Sequence, residues 1–284
     1  MIRMLDMQIT SKCNLNCEFC CGTPKGIPEV TFDNIKAVIK KLKEVNVSRI
    51  VLTGGEPLLY SHIDELIEYI KSLGIEIYLS TNGYFLRNHI EVIAKNVSCV
   101  GLPLDSYIPE NCEIMTRKKS QVETTIDSIN LLKCSNNTIK IKIGTVVSKL
   151  NILDLDGIYN LLTTLKNKPD VWRLYEFSPL GEGLLNREKF EITPELFLNS
   201  TEKYLHSTEI NVSRLTNKDS NDAYIFLHPN MDIILLTNDK YQNVGNAIKF
   251  SSSQLDELFN KENKTLKNQE QNRKWLEKNE YKNK

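Results

Sequence analysis

Four of the seven cysteines in this chain fall within nine residues, in the run Cys13-Asn-Leu-Asn-Cys17-Glu-Phe-Cys20-Cys21. Three thiolates spaced C-x3-C-x2-C can bind three irons of a [4Fe–4S] cube and leave the fourth iron without a protein ligand. An open iron can chelate the amino and carboxylate groups of S-adenosylmethionine (SAM). An electron passed into the sulfonium then breaks a C–S bond and yields a 5′-deoxyadenosyl radical. The cofactor supplies this chemistry, and the protein positions and shields it. The competing metal is zinc, which wants a fourth ligand at fixed spacing, and no second C-x2-C or nearby histidine offers one. Cys21 as third ligand would change the spacing, so it reads as a small buried residue. Cys99, Cys112 and Cys134 are scattered and read as structural. No cysteine follows Cys134, so a second, C-terminal cluster is not expected.

Three further runs follow in order: Thr53-Gly54-Gly55-Glu56-Pro57, Ser80-Thr81-Asn82-Gly83 and Gly101-Leu102-Pro103-Leu104-Asp105-Ser106. Behind the cysteine run, they resemble the motifs of the radical SAM superfamily over roughly Met4–Phe177. The resemblance implies that Gly54, Gly55 and Glu56 hold the amino group of SAM, because paired glycines let the backbone approach a ligand closely. It implies that Ser80, Thr81 and Asn82 meet the ribose diol, against the plainer reading of a polar strand-to-helix turn. It gives Asp105 as a polar group directed at SAM or substrate. Asp105 and Tyr78 are the candidate catalytic residues, placed beside the radical. An iron–sulfur electron carrier or redox sensor is the non-enzymatic alternative, and it has no need of the last three motifs.

The elements that must position these residues alternate along the chain. Strand patterns occupy Met4–Thr10, Arg49–Thr53, Ile75–Ser80, Ser98–Leu104, Thr138–Val147 and Val171–Phe177. Helical periodicity fills Asp33–Glu44, Ile63–Leu73, Leu86–Lys95, Val122–Leu132 and Leu153–Leu165. Such alternation specifies parallel strands joined by right-handed crossovers. Six units are too few for a closed eight-stranded barrel, so the expected fold is α/β, a partial (β/α)6 TIM-like barrel over residues 1–180. A small α+β extension over 181–260 is expected to close it. That segment should open with a loop at Ser178–Arg187 and continue with a helix near Pro194–Leu205 capped by Thr193. Short strands at Ile210–Val212, Tyr224–Leu227 and Asp232–Leu236 complete it, with a turn at Pro229-Asn230. Residues 261–284 are rich in Lys, Asn and Glu, and disorder is expected there despite Trp275 and Leu276.

Period-two alternation predicts which strand residues face the inside of the sheet. On the fifth strand Ile139, Ile141 and Ile143 share the outer face, so Lys140, Lys142 and Gly144 point inward. Arg173, Tyr175 and Phe177 share a face on the sixth, and Tyr78 and Ser80 on the third. Burying unpaired cations is costly, so an anionic ligand or a partner such as Asp105, Glu56 or Glu176 must accompany them. Within the superfamily, the segment Lys142–Asn151 and the basic run Thr116-Arg117-Lys118 resemble viperin, which dehydrates a nucleoside triphosphate, and the strand pattern also resembles the molybdenum-cofactor cyclase branch. That resemblance implies that Arg117, Lys140 and Lys142 contact phosphates, with Arg173 as a further inward cation. A small-molecule or nucleotide substrate is expected, and a peptide or another metabolite is the alternative. A flavodoxin- or ferredoxin-type electron donor is implied as well.

Composition narrows the remaining classes. Formal charge is zero, with eight Lys or Arg against four Glu in residues 261–284, so the tail is +4 and the remainder −4. No global field argues for nucleic acid. No run approaches a membrane span or a signal peptide, and clustered free cysteines suit a reducing cytoplasm.

Overall fold

The computed structural model describes residues 3–221 and 223–261. The expected disordered tail, with Trp275 and Leu276, lies outside the described residues apart from Lys261, which ends a helix.

Among the described residues, ten strands form one sheet: β1 (Arg3–Thr10), β2 (Val47–Gly54), β3 (Glu76–Ser80), β4 (Cys99–Pro103), β5 (Lys140–Val147), β6 (Val171–Glu176), β7 (Asn211–Leu215), β8 (Ile225–Leu227), β9 (Asp232–Thr237) and β10 (Lys240–Asn246). Their order is β10-β9-β8-β1-β2-β3-β4-β5-β6-β7. Strands β1 to β7 pair in parallel, and β8 pairs in parallel with β1. The crossovers carry α1 (Phe32–Glu44), α2 (Ile63–Ser72), α3 (Ile90–Asn96), α4 (Pro109–Ile114), α5 (Gln121–Ser135) and α6 (Leu155–Thr164). Residues beyond Glu176 add α7 (Glu182–Leu185), α8 (Arg187–Phe190), α9 (Pro194–Glu202), α10 (Asn217–Ser220) and α11 (Ser252–Lys261). One of these short helices, α7, lies inside the stretch expected to be a loop, and α8 begins at its last residue. The C-terminal segment flanks both ends of the strand order, β7 beside β6 and β8–β10 beside β1.

Alternation decides the faces. Leu5, Met7 and Ile9 of β1, Ile50 and Leu52 of β2, and Ile141 and Ile143 of β5 join one buried core with Ile35, Val38, Ile39 and Leu42 of α1. The spacing of those α1 residues is that of a helix stripe, and each fully buried Ile or Leu contributes about 1.5–3 kcal/mol. Thr31 starts α1 by accepting from the Asn34 N–H, and Lys41 ties its last turn to the carbonyls of Ala247, Ile248 and Phe250. With the apolar set turned outward to the helices, the inner face is left to Asp6 and Gln8, Tyr78 and Ser80, Gly101, Lys142 and Gly144, and Arg173 and Tyr175.

Two expected helices are shorter and follow a 3-10 turn, at Leu86–His89 before α3 and Ile152–Asp154 before α6. Strand β10 has no counterpart among the expected strands. Its sequence, Lys-Tyr-Gln-Asn-Val-Gly-Asn, is polar because it pairs on one side only, with β9. Asn238 and Asp239 both take positive φ, 52° and 56°, as the tight turn of a two-residue hairpin requires.

Candidate active site

Chain leaving β1 at Thr10 runs directly into the cysteine loop, and its base is gripped by the glycine pair ending β2. Gly55 N–H donates to Thr10 O and Glu56 N–H to Lys12 O, both at 2.8 Å. A Cβ on Gly54 would lie 2.4 Å from Thr10 O, and one on Gly55 would lie 2.3 Å from Lys12 O. Gly54 also adopts φ 140°. Only glycine allows the two chains to come this close.

Beyond that base, Cys13, Cys17 and Cys20 border a cavity of about 1030 Å³, together with Gly54, Gly55, Ser80, Thr81, Asn82, Asp105, Arg117, Lys142, Gly144 and Tyr175. Each sulfur faces a donor. Leu15 N–H points at Cys13 Sγ (3.4 Å), Gly22 N–H at Cys20 Sγ (3.3 Å) and Arg117 Nη1 at Cys17 Sγ (3.4 Å). Phe19, between the last two cysteines, is buried edge-on against Phe190 at 5.7 Å and anchors the loop. Glu18 N–H donates to Thr116 Oγ1, Gly183 N–H to Cys20 O and the Tyr241 hydroxyl to Cys21 O. The extension thus clasps the loop from outside.

The donor set fits an iron–sulfur cube. Among the described residues, no three His, Cys, Asp or Glu side chains are gathered to hold a single metal ion, whereas a cube takes each thiolate on a different iron. Burial pushes the Cys13 and Cys17 thiols up, so iron would offset the cost of thiolates here. Cys21 differs from expectation. It is exposed at the cavity rather than packed away, although the surrounding protein pushes its thiol up to about 12.

Several sequence-predicted residues take other places. Glu56 is fully buried and turned from the cavity. Its carboxylate accepts from Thr81 Oγ1 (2.6 Å), Asn82 N–H (2.7 Å) and Leu58 N–H (3.1 Å), so it braces the end of β3 rather than reaching a ligand. Thr81 is spent on that brace. Asn82 donates its amide to Asn14 Oδ1 at 2.7 Å, which links β3 to the cysteine loop. Ser80 borders the cavity as expected.

Tyr78 does face inward, but one step too deep. It is buried with Cys99 and Val171, with Arg49 over its ring at 4.4 Å, and it is not among the cavity-lining residues. Lys140 is likewise one step below Lys142 and pairs with Asp170 at 3.2 Å, beside Lys133 at 3.0 Å. Arg173 is buried beneath the cavity, 5.7 Å from the Tyr175 ring. Arg117 reaches the cavity but is already engaged, with Nε 2.8 Å from Asp105 Oδ2.

Lys142 is the inward cation that remains at the cavity floor, 6.0 Å from the centre of the Tyr175 ring. Gly101 and Gly144 make its room. A Cβ at Gly101 would meet Lys142 Cε at 3.2 Å, and one at Gly144 would meet Tyr175 Cε2 at 3.1 Å. Burial raises the Tyr175 hydroxyl, but Lys142 and Arg173 outweigh it and hold the group below its usual range. Asp6 completes this layer. Burial pushes its carboxyl up to about 7 against the pull of Lys142 and Arg173. Gln8 stands beside it with Oε1 buried and without a hydrogen-bond partner among the described residues. Asp6 and Gln8 do not line the cavity and are not among the residues singled out from the sequence, although their alternation with Leu5, Met7 and Ile9 marks them as inward.

Comparison with known proteins bears on this geometry. GTP 3′,8-cyclase of Clostridium perfringens (strain SM101 / Type A) is 31% identical over 192 residues, covering 64% of this chain and 57% of that protein. GTP 3′,8-cyclase of Clostridium botulinum (strain Okra / Type B1) is 32% identical, covering 64% and 58%. The chain therefore spans somewhat over half the length of these relatives. They fall on the cyclase side of the two branches that the motifs resemble. Streptococcus suis SuiB bound to S-adenosylmethionine shares the fold, with a TM-score of 0.66 at 18% identity over 85% of this chain and 63% of that one. So does anSMEcpe with bound AdoMet and a peptide, with a TM-score of 0.66 at 17% identity over 95% and 82%. The family model described as Radical SAM superfamily matches residues 7–162, more than half of the 284 residues. The chain belongs to the radical SAM superfamily, whose enzymes use a [4Fe–4S] cluster and SAM.

Proposed function

We propose that this enzyme abstracts hydrogen from a small anionic substrate, a nucleoside triphosphate in the first instance. When bound at Cys13, Cys17 and Cys20, the cluster and SAM supply a 5′-deoxyadenosyl radical by one-electron cleavage of the sulfonium. Lys142 carries the reading. It is an ammonium at the floor of a cavity large enough for two ligands, and the cations around it are tied to carboxylates or lie below. Lys142 is half-buried, so its charge is only partly hydrated, and a substrate phosphate or carboxylate would offset the cost of covering it. Tyr175, beside Lys142, offers a hydroxyl to the same anion. Burial pushes the Asp6 carboxyl up to about 7, so near neutral pH it is only partly ionised and offsets the positive charge of the floor only in part. Ser80 and Asn82 line the wall towards the cysteine loop, and Leu15 and Leu185 shield the mouth. The names of the cyclase relatives make GTP the first candidate to try. A flavodoxin- or ferredoxin-type donor and a cytoplasmic setting belong to this proposal. Among the described residues no helix is long and apolar enough to cross a membrane.

The test is anaerobic turnover of loaded enzyme with SAM and dithionite, reading 5′-deoxyadenosine with each nucleoside triphosphate in turn. One triphosphate should stimulate release strongly. Lys142→Ala should then raise its half-saturating concentration at least about 10-fold, or about 1.4 kcal/mol, while basal SAM cleavage persists. Basal cleavage unchanged by every triphosphate would remove the nucleotide from the account.

A further inference from the structure

Asp105 at the end of β4 has no free carboxylate oxygen. Oδ1 accepts from Val146 N–H and Oδ2 from Arg117 Nε, both at 2.8 Å, and the side chain is 1% exposed. The far edge of the same guanidinium reaches the cysteine loop, with Nη1 3.4 Å from Cys17 Sγ. Its flat face covers the ring of Phe19, with 4.9 Å to the centroid. Local backbone holds it in place. Arg117 N–H donates to Cys112 O, Thr116 before it takes φ 57°, and Thr116 Oγ1 accepts from Glu18 N–H. With its side chain 14% exposed, Arg117 is a fixed bridge from the rim of the sheet to the middle cysteine, not a cation waiting in a solvated loop.

We propose that Arg117 is a positioning residue for the cluster: it orients Cys17 and, by donating a charge-assisted hydrogen bond to that sulfur, raises the reduction potential. Reduction adds negative charge to a cluster, and a cation fixed against one of its thiolates stabilises the reduced form more than the oxidised one. Hydrogen bonds to the sulfurs and local net charge are the protein's means of setting such potentials. Asp105 fixes the direction of the fork. A lysine could keep the charge but not reach Asp105 and Cys17 together, since it lacks the planar donors. The inference goes beyond the choice of substrate and rests only on the cluster being held by Cys13, Cys17 and Cys20.

The experiment compares wild type, Arg117→Gln and Arg117→Lys after anaerobic reconstitution. Iron and sulfide per chain are measured first, followed by an EPR-monitored redox titration without SAM or substrate. All three should load equally. Arg117→Gln should be harder to reduce by about tenfold in the equilibrium, which is about 59 mV for one electron, and Arg117→Lys should fall between. An unchanged potential in a fully loaded Arg117→Gln would overturn the proposal and leave Arg117 as a ligand for SAM or substrate. Failure of both variants to load beside a loaded wild type would also overturn it, making the residue a requirement of loop folding. Failure of wild type itself would sink the cluster assignment, and this inference with it.

Discussion

A carboxylate with no exposed surface must be held by donors, and Glu56 holds three, from Leu58, Thr81 and Asn82. Burial raises its pKa while those donors lower it. Glu56→Ala strands two buried N–H groups and a hydroxyl, each costing about 1–3 kcal/mol. The variant should therefore unfold at a clearly lower urea midpoint even without cofactor. A wild-type midpoint would show that the brace does not matter. Asp6 offers a test with a pH signature. In the unfolded chain it ionises near 3.8, whereas in the folded chain burial pushes it up to about 7. Folded protein binds the proton more tightly, so this group loses stability for the fold as pH rises from 3.8 towards 7. Asp6→Asn removes that loss. Urea midpoints should favour the variant more at about pH 8 than at about pH 5, and an equal gap at both would mean that Asp6 is not titrating as described.

Strand ends and the loops they feed do the positioning at the scale of elements. The glycine pair of β2 lets the cysteine loop close onto the sheet. Gly55→Ala puts a methyl 2.3 Å from the Lys12 carbonyl oxygen, a backbone atom that cannot rotate away. The loop must shift, and iron bound per chain after reconstitution should fall well below that of wild type. Full iron loading would contradict the packing argument. The sequence made the faces of the strands legible and their heights not. Tyr78 and Ser80 share a face, yet two residues along a strand span about 7 Å, enough to put one in the cavity and the other under it. Lys140 and Lys142 separate in the same way, and Asp170, just before β6, captures the lower one. Alternation has period two whatever the stagger between neighbouring strands, so it cannot report depth. The polar strand β10 was illegible for another reason: an edge strand exposed on one side carries no apolar signal.

Across the described residues, the parallel strands β1 to β6 direct their carboxyl ends at one cavity, as expected of open α/β sheets. Residues beyond Glu176 build on both flanks of the sheet and return to the cysteine loop through Gly183 and Tyr241. The cysteine spacing alone, C-x3-C-x2-C, announced the chemistry, because ligand identity is a property of residue type. The substrate was less legible, because it depends on which inward cation the fold leaves at the cavity and which it places below or ties to a carboxylate. The central claim is that Cys13, Cys17 and Cys20 hold a cluster that cleaves SAM. The most direct measurement is 5′-deoxyadenosine formed by reconstituted wild type and Cys17→Ala with SAM and dithionite. The account predicts product from wild type, and neither cluster nor product from Cys17→Ala. A fully loaded wild type that forms no 5′-deoxyadenosine, or a Cys17→Ala variant that forms it at the wild-type rate, would contradict it.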